Sequence, residues 1–134
     1  MKVLVTGGAG FIGSHVAEYY ARKGEDVTVL DNLSRAEVFA TNIEKSLYNW
    51  NLLRKNYDNI KLAKGDVRDF ESVKGASNDA DAIVHTATQV AVTVSVKDPR
   101  IDFEVNTLGT FNVLEAARLN DALMEMLVMH FQSI

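Results

Sequence analysis

A glycine-rich segment near the amino terminus, Thr6-Gly7-Gly8-Ala9-Gly10-Phe11-Ile12-Gly13, constrains the fold of this chain more than any other feature. It follows a short apolar, β-branched run at residues 3–5 and precedes a helical pattern that extends to Lys23, before Gly24. Glycines between a strand and a helix are typical of a loop that holds the pyrophosphate of a dinucleotide. For the motif taken alone, a plain glycine-rich turn is the alternative interpretation.

Each of three glycines has a distinct expected role in such a loop. Gly7 allows a tight turn out of the strand, and Gly10 leaves room for a pyrophosphate to approach the backbone. Gly13 allows the helix to pack closely on the sheet. The free amides and the positive dipole end of the following helix are expected to face the phosphates. A mononucleotide P-loop is disfavoured, because no Gly-Lys-Ser/Thr follows the glycines.

The rest of the chain alternates between strand-like and helix-like patterns. Strand patterns fall at residues 3–5, 27–30, 60–63, 82–85 and 126–131. Helical patterns fall at residues 11–23, weakly at 35–56, at 70–76, and, after a loop, at 99–119, where Asp98 can cap the helix and Pro99 suits its first turn. This alternation predicts an α/β fold with a doubly wound parallel sheet, Rossmann-like, of strand order 3-2-1-4-5.

Asp31 ends the second strand pattern, and its distance from Gly13 is 31 − 13 = 18 residues. An acidic residue about 20 residues after the glycines is typical of a carboxylate that binds the adenosine ribose. Such a carboxylate accepts hydrogen bonds from ribose hydroxyls and repels a 2′-phosphate, so NAD is favoured over NADP. Arg35 is the nearby cation that could weaken this preference, and an ordinary turn residue is the alternative interpretation of Asp31.

Two further segments fall where parallel strands end, at the edge where such sheets bind ligands. Asp66 follows the third strand and could accept a hydrogen bond from the adenine amino group, with Val67 against the ring; a solvated turn is the equal alternative. Residues 86–89, after the fourth strand, are small enough at Ala87 for a cofactor to lie across the backbone. His85 is interpreted as a packed residue at the strand end and not as a catalyst.

Length and composition fit one domain and exclude several classes of function. The chain has 134 residues and a net charge of −4, so it offers no basic surface for nucleic acid or for an anionic membrane. It contains no cysteine, and its three histidines are too scattered to indicate a metal site. We therefore expect no nucleic-acid, membrane or metal partner. Without a membrane-length apolar run or a clear signal peptide, a cytoplasmic location is expected.

Taken together, these segments resemble the extended short-chain dehydrogenase/reductase family, specifically its NAD-dependent nucleotide-sugar epimerases and dehydratases. The resemblance covers residues 1 to about 120 and is carried by residues 6–13, 31–34, 65–69, 84–87 and 105–110. The stretch 89–99 looks most like UDP-glucose 4-epimerases and CDP-sugar 2-epimerases.

The resemblance implies a set of NAD-binding positions, and it names no catalytic residue in this chain. Gly7, Gly10, Phe11, Ile12 and Gly13 would hold the pyrophosphate; Asp31, Asn32 and Ser34 the adenosine ribose; Asp66 and Val67 the adenine; Ala87 and Gln89 the nicotinamide side; and Asn106 would help to shape the active site. Thr88 stands where the family usually has alanine.

The carboxyl-terminal end departs from the family pattern. The resembled enzymes are about twice as long or more, and their catalytic Ser/Thr and Tyr-x-x-x-Lys follow the fifth strand. The chain is therefore expected to be an NAD-binding domain, residues 1–134, that is truncated after the fifth strand and lacks a substrate domain. Tyr-x-x-x-Lys strings occur at Tyr19–Lys23 and Tyr57–Lys61, but both are expected to lie far from the nicotinamide end.

The expected function is the cofactor-binding part of an NAD-dependent nucleotide-sugar epimerase, inactive by itself. A stand-alone NAD-binding module without catalysis, and part of a 4,6-dehydratase or reductase of the same superfamily, are the alternatives. Bare apolar surface on the helix at residues 99–119 predicts a homo-oligomer.

Overall fold

The computed structural model describes residues 1–34, 47–89 and 92–126. Its strands are β1 (Lys2–Thr6), β2 (Asp26–Asp31), β3 (Ile60–Lys64), β4 (Ala82–His85) and β5 (Leu123–Met126). They form one parallel sheet in the order β3-β2-β1-β4-β5. The predicted doubly wound α/β fold is confirmed.

The helices alternate with the strands and lie on both faces of the sheet. They are α1 (Phe11–Arg22), α2 (Tyr48–Asn56), α3 (Phe70–Ala76), α4 (Val92–Lys97), α5 (Pro99–Phe103) and α6 (Gly109–Asn120). A π-helical segment, Glu104–Leu108, joins α5 to α6. No helix in the described ranges is both long enough and apolar enough to cross a membrane.

β1 is buried on both sides, and this burial creates two separate cores. Val3 and Val5 face α1 and α2, where Trp50 is also buried. Leu4 points to the other face, where it joins Val113 of α6 in the second core. Both faces exclude water because parallel crossovers place helices on each side of the sheet. The carboxyl edge of the sheet, where β1 to β4 end, therefore lies between two packed cores.

Three local predictions need correction or lie partly outside the described residues. The fifth strand begins at Leu123 and not at residue 126, because Leu123 pairs with Ala82 of β4; residues 127–134 lie outside the described part. α4 occupies positions 92–97, where a loop was expected. The last part of the weak helical pattern at 35–56 forms α2. Residues 35–46 lie outside the described part.

The helix predicted at residues 99–119 is present but interrupted. Asp98 caps it as expected, with its side chain accepting a hydrogen bond from the Ile101 amide, and Pro99 is the first helical residue. The π-helical segment in its middle inserts an extra residue relative to a regular α-helix. The helix ends at Asn120, and the next residue, Asp121, adopts a left-handed conformation.

Candidate functional site

The glycine loop turns out of β1 as the motif predicts. Gly7 has a φ of +72°, and a Cβ there would lie 2.6 Å from the amide nitrogen of Ala87. Its own amide donates to the carbonyl of Leu30, at 2.8 Å, and the Gly10 amide donates back to the Gly7 carbonyl, at 3.0 Å. A side chain at Gly7 is therefore excluded both by backbone conformation and by the neighbouring loop.

Two other glycines set how closely the loop packs. A Cβ at Gly13 would collide with the carbonyl oxygen of Gly7 and lie 2.6 Å from Thr86 Oγ1. This confirms that Gly13 allows close packing of α1. Gly8, which the sequence analysis did not single out, packs against the side chain of Val29 in the same way. Its signal was its place within the motif itself.

The amino end of α1 has the features of an anion site. Gly10 provides no side-chain cap, and the first turn contains no acidic residue. The amides of Phe11, Ile12 and Gly13 head the helix, and the Ser14 amide is the first to close onto Gly10, at 3.0 Å. Uncapped amides and the positive dipole end suit a pyrophosphate, so the chain fits the group that the motif implies.

Asp31 lies at the end of β2, beside the glycine loop. Its Oδ2 accepts a hydrogen bond from the Ala9 amide, at 3.0 Å, and its Oδ1 accepts one from the Leu33 amide, at 2.8 Å. Asn32 Oδ1 in turn accepts from the Ser34 amide, at 3.0 Å. Asp31 thus braces the glycine loop as well as the turn, a role that the sequence spacing did not reveal.

Asp66 lies at the end of β3, where two neighbouring side chains donate hydrogen bonds to it. Its carboxylate accepts hydrogen bonds from Arg68 Nη2, at 2.7 Å, and from Asn32 Nδ2, at 3.2 Å. The Arg68 side chain holds the pKa of Asp66 well below its usual range, at about 2. Asp66 is therefore an ionised acceptor at neutral pH. The bond to Asn32 brings the predicted ribose and adenine positions together.

Val67 and Asn112 connect the turn after β3 to helix α6. The Val67 side chain is buried in the second core, against Gly109 of α6, so little of it reaches the surface. Asn112, buried within α6, donates to the carbonyls of Val67 and Arg68, at 2.9 and 3.1 Å. Asn112 was not predicted from the sequence, where an amide within an apolar helical stripe is its only signal.

His85 is a packed residue at the strand end, as predicted. It is 3% exposed; Nδ1 lies 2.6 Å from Thr6 Oγ1 and Nε2 lies 3.1 Å from Thr110 Oγ1. Thr110 donates its own proton to the Asn106 carbonyl, so it accepts from His85 Nε2–H, and Nδ1 accepts from Thr6. Both ring nitrogens of the neutral imidazole are satisfied, and the tautomer follows from this network.

Stability should fall on mild acidification because of His85. Burial lowers the pKa of this histidine to about 4, whereas its ordinary value is 6.5. Between these values the unfolded chain binds a proton that the folded chain does not, so stability is full above pH 6.5 and is lost as pH falls toward 4. We expect urea unfolding to show a loss of about 2 kcal/mol between pH 7 and pH 5.

A His85→Gln variant provides the matched control for this pH dependence. It should be less stable at pH 7 but should lose little further stability by pH 5, because most carboxylates of the unfolded chain protonate only below that pH. Equal pH slopes for both proteins would contradict the assignment.

Asn106, within the π-helical segment, binds the segment that follows β4. Its Oδ1 accepts hydrogen bonds from the Gln89 amide and from Thr88 Oγ1, both at 2.9 Å. Its Nδ2 donates to the Gln89 carbonyl, at 3.3 Å. Ala87, at the start of this segment, donates to Thr6 Oγ1 at 3.4 Å. Thr88, the departure from the family pattern, is thus accommodated by a hydrogen bond.

Both Tyr-x-x-x-Lys strings lie away from this edge. Tyr19 is in the second half of α1, with the Lys23 ammonium 4.5 Å from the centre of its ring. Tyr57 follows α2, before β3 begins, and donates to Glu18 Oε1 at 2.6 Å. Both positions are at the amino end of the sheet, as predicted.

The structure brings the predicted cofactor positions to one edge of the sheet, where β1 to β4 end. They are Gly7, Gly10, Phe11, Ile12, Gly13, Asp31, Asn32, Ser34, Asp66, Val67, Ala87, Gln89 and Asn106. A cleft of about 720 Å³ lies elsewhere, beside α3 and the face of β2 and β3, and is lined by charges of both signs. We take the carboxyl edge as the site, because loop amides and polar side chains converge there.

The fold and this edge together define a doubly wound α/β protein with a dinucleotide-type glycine loop. A family model described as GDP-mannose 4,6 dehydratase matches residues 4–133, and the chain belongs to this family.

Three similar proteins illustrate the relationship. CDP-paratose 2-epimerase of Salmonella typhi is 40% identical over 120 residues, which are 88% of this chain and 33% of that protein. dTDP-glucose 4,6-dehydratase of Mycobacterium tuberculosis is 38% identical, with the same coverage. The crystal structure of Thermus thermophilus UDP-glucose 4-epimerase in complex with NAD has a TM-score of 0.69 and 41% identity, covering 91% of this chain and 35% of that one. The resemblance to nucleotide-sugar epimerases and dehydratases is confirmed, and the chain spans about a third of the length of these relatives.

Proposed function

We propose that this chain is the NAD-binding part, residues 1–134, of a nucleotide-sugar epimerase. The observation that carries the proposal is the glycine loop, braced by Asp31 against an uncapped helix end at the carboxyl edge of the sheet. When bound, NAD supplies an acceptor and donor of hydride for a sugar carbon. The likeness to an epimerase crystallised with NAD supports the choice of cofactor.

Different groups of residues would bind the different parts of NAD. The amides of Phe11, Ile12 and Gly13 would hold the pyrophosphate, beside Gly7 and Gly10. Asp31, Asn32 and Ser34 would bind the adenosine ribose. Asp66 and the main chain of Val67 would bind the adenine, because the Val67 side chain is buried in the second core. Ala87, Gln89 and Asn106 would line the nicotinamide side.

A preference for NAD over NADP is the first test. We expect NADH to bind more tightly than NADPH in a fluorescence titration, because the Asp31 carboxylate would face the 2′ position. Asp31→Asn removes the charge that would repel a 2′-phosphate, so the NADH-to-NADPH affinity ratio should fall roughly tenfold or more. The variant keeps an oxygen that can accept from the Leu33 amide. Asp26→Asn, at the other end of β2, is the matched control and should leave the ratio unchanged. Tighter binding of NADPH by the unsubstituted chain would refute the role of Asp31.

The chain by itself should show no epimerase turnover. It has four tyrosines, all in the described part: Tyr19 and Tyr20 in α1, Tyr48 in the first turn of α2, and Tyr57 before β3. None belongs to the segment after β4 or to the π-helical segment, where the nicotinamide side is proposed. Interconversion of UDP-glucose and UDP-galactose by the purified chain, abolished by Tyr19→Phe or Tyr57→Phe, would contradict this proposal.

The dehydratase alternative stays open, because a dTDP-glucose 4,6-dehydratase is almost as similar as the epimerases. A stand-alone NAD-binding module would bind NADH equally well. Reading the coding sequence beyond residue 134 distinguishes the two, because an open frame with a Tyr-x-x-x-Lys motif would favour an enzyme.

We also propose that the chain forms a homo-oligomer, since α5 and α6 expose Phe103, Phe111 and Leu114. The cytoplasmic location stays a prediction.

A further inference from the structure

Asp102 joins three helical segments next to the candidate site. It lies in α5, and its Oδ1 accepts hydrogen bonds from Ser95 Oγ of α4, at 2.9 Å, and from Asn106 Nδ2 of the π-helical segment, at 3.1 Å. Asp102 also lies in the first turn of α5, where an acidic residue is favourable near the positive end of the helix dipole. Through its contact with Asn106, this residue also affects the candidate site.

Asp102 sets the orientation of the Asn106 side-chain amide. A carboxylate only accepts hydrogen bonds, so Asp102 requires the NH₂ group of Asn106 to face it. The carbonyl oxygen of the amide must then point to the other side, where it accepts from the Gln89 amide and Thr88 Oγ1. A flipped amide would set its oxygen against the carboxylate and its NH₂ group against the Gln89 amide, losing both interactions.

The segment that Asn106 holds is in direct contact with the glycine loop. Ala87 follows β4, and its backbone lies so close to Gly7 that no Cβ fits between them. The Ala87 amide also contacts Thr6 Oγ1, at 3.4 Å. A continuous set of contacts therefore leads from Asp102 through Asn106 and residues 87–89 to the turn at Gly7.

We propose that Asp102 is a positioning residue for the nicotinamide side of the dinucleotide site. It acts through the Asn106 amide, which sets residues 87–89 against the glycine loop; it does not itself contact the cofactor. This inference rests on the proposed function. The glycine loop and the adenosine positions are held by other contacts, from Gly7 to Leu30 and from Ala9 to Asp31, so Asp102 should affect only the nicotinamide half of the dinucleotide.

Two ligands distinguish the two halves of the site. In Asp102→Ala, which removes the oxygen that accepts from both Ser95 and Asn106, we expect NADH to bind about tenfold more weakly. ADP, which lacks the nicotinamide riboside, should bind within about twofold of its affinity for the unsubstituted chain. Both affinities are measured by isothermal titration, and the thermal unfolding midpoint is recorded for each variant. Glu115→Gln, which removes an acid that pairs only with Arg118 in the described structure, is the matched control and should change neither affinity.

A double variant tests whether Asp102 acts through Asn106. Asn106→Ala should reproduce the selective loss of NADH affinity, and adding Asp102→Ala to it should cause little further loss. An unchanged NADH affinity in Asp102→Ala, an equal loss for NADH and ADP, additive effects in the double variant, or an unfolded Asp102→Ala chain would each overturn the inference. If the unsubstituted chain binds ADP but not NADH, or neither ligand, the proposed function itself fails, which is a distinguishable result.

Discussion

Gly13→Ala is expected to weaken NADH binding by roughly 10- to 100-fold and to destabilise the fold by about 1–3 kcal/mol. The added methyl group would collide with the Gly7 carbonyl oxygen and lie 2.6 Å from Thr86 Oγ1. Either α1 or the glycine loop must move, because the Gly7 oxygen belongs to the backbone and no side-chain rotation can relieve this contact. The amides of Phe11 and Ile12 then leave the positions proposed to hold the pyrophosphate. Fluorescence titration with NADH and urea unfolding measure the two effects.

Gly75→Ala is the matched control for this experiment. Gly75 also lies in a helix, α3, but a Cβ there meets no atom within 4 Å. Alanine at this position should leave NADH affinity unchanged and should stabilise the chain by about 0.5–1 kcal/mol, because glycine costs that much in a helix. A Gly13→Ala chain that binds NADH as tightly as Gly75→Ala would show that the dinucleotide does not use this loop.

The fold was predictable because local and long-range signals agree in this sequence. Gly7 ends a buried strand and Gly24 ends the first helix, so the element boundaries there follow from residues with special backbone conformations. Once strands and helices alternate, right-handed crossovers leave few possible strand orders. The carboxyl edge then collects Asp31, Asp66 and Asn106 without further assumptions.

Features that depend on tertiary contacts were not predictable. β5 begins at Leu123 because pairing with β4 sets its register, not because of a local apolar pattern. α4 contains Val92, Thr93 and Val94, residue types that favour strands, so its helical conformation does not follow from local preference. The π-helical segment has no recognised signal in the sequence.

The polar supports of the site were missed for the same reason. Asn112 is 45 residues away from Val67, whose carbonyl it binds, and nothing in the spacing connects them. The interaction of Asp66 with Arg68 is close in the sequence, but its strength depends on how the turn after β3 folds. Residues that contact a ligand leave motifs, whereas residues that hold them in place are identified only by their contacts.

Self-association through the helix formed by α5 and α6 should be the other large effect. The buried side of α6 contributes Val113, Ala116 and Ala117 to the second core. Its opposite side exposes Phe111 and Leu114, at 61% and 50%, and α5 exposes Phe103 at 61%. Phe103 and Phe111 are eight residues apart, and the extra residue of the π-helical segment brings this spacing back to about two turns. A helix that is apolar on two sides is usually covered on both.

We therefore expect a dimer or larger species in sedimentation equilibrium at micromolar concentration. Burial of a phenylalanine or leucine contributes about 1.5–3 kcal/mol, and a two-fold interface buries each residue twice. Phe111→Glu would bring two negative charges into the centre of such an interface and should raise the dissociation constant by roughly 100-fold or more. Tyr19→Glu, a similarly exposed aromatic position on the opposite face of the sheet, should leave the association unchanged. A stable, cooperatively melting monomer of the unsubstituted chain would mean that this apolar stripe tolerates water and that the proposed homo-oligomer is wrong.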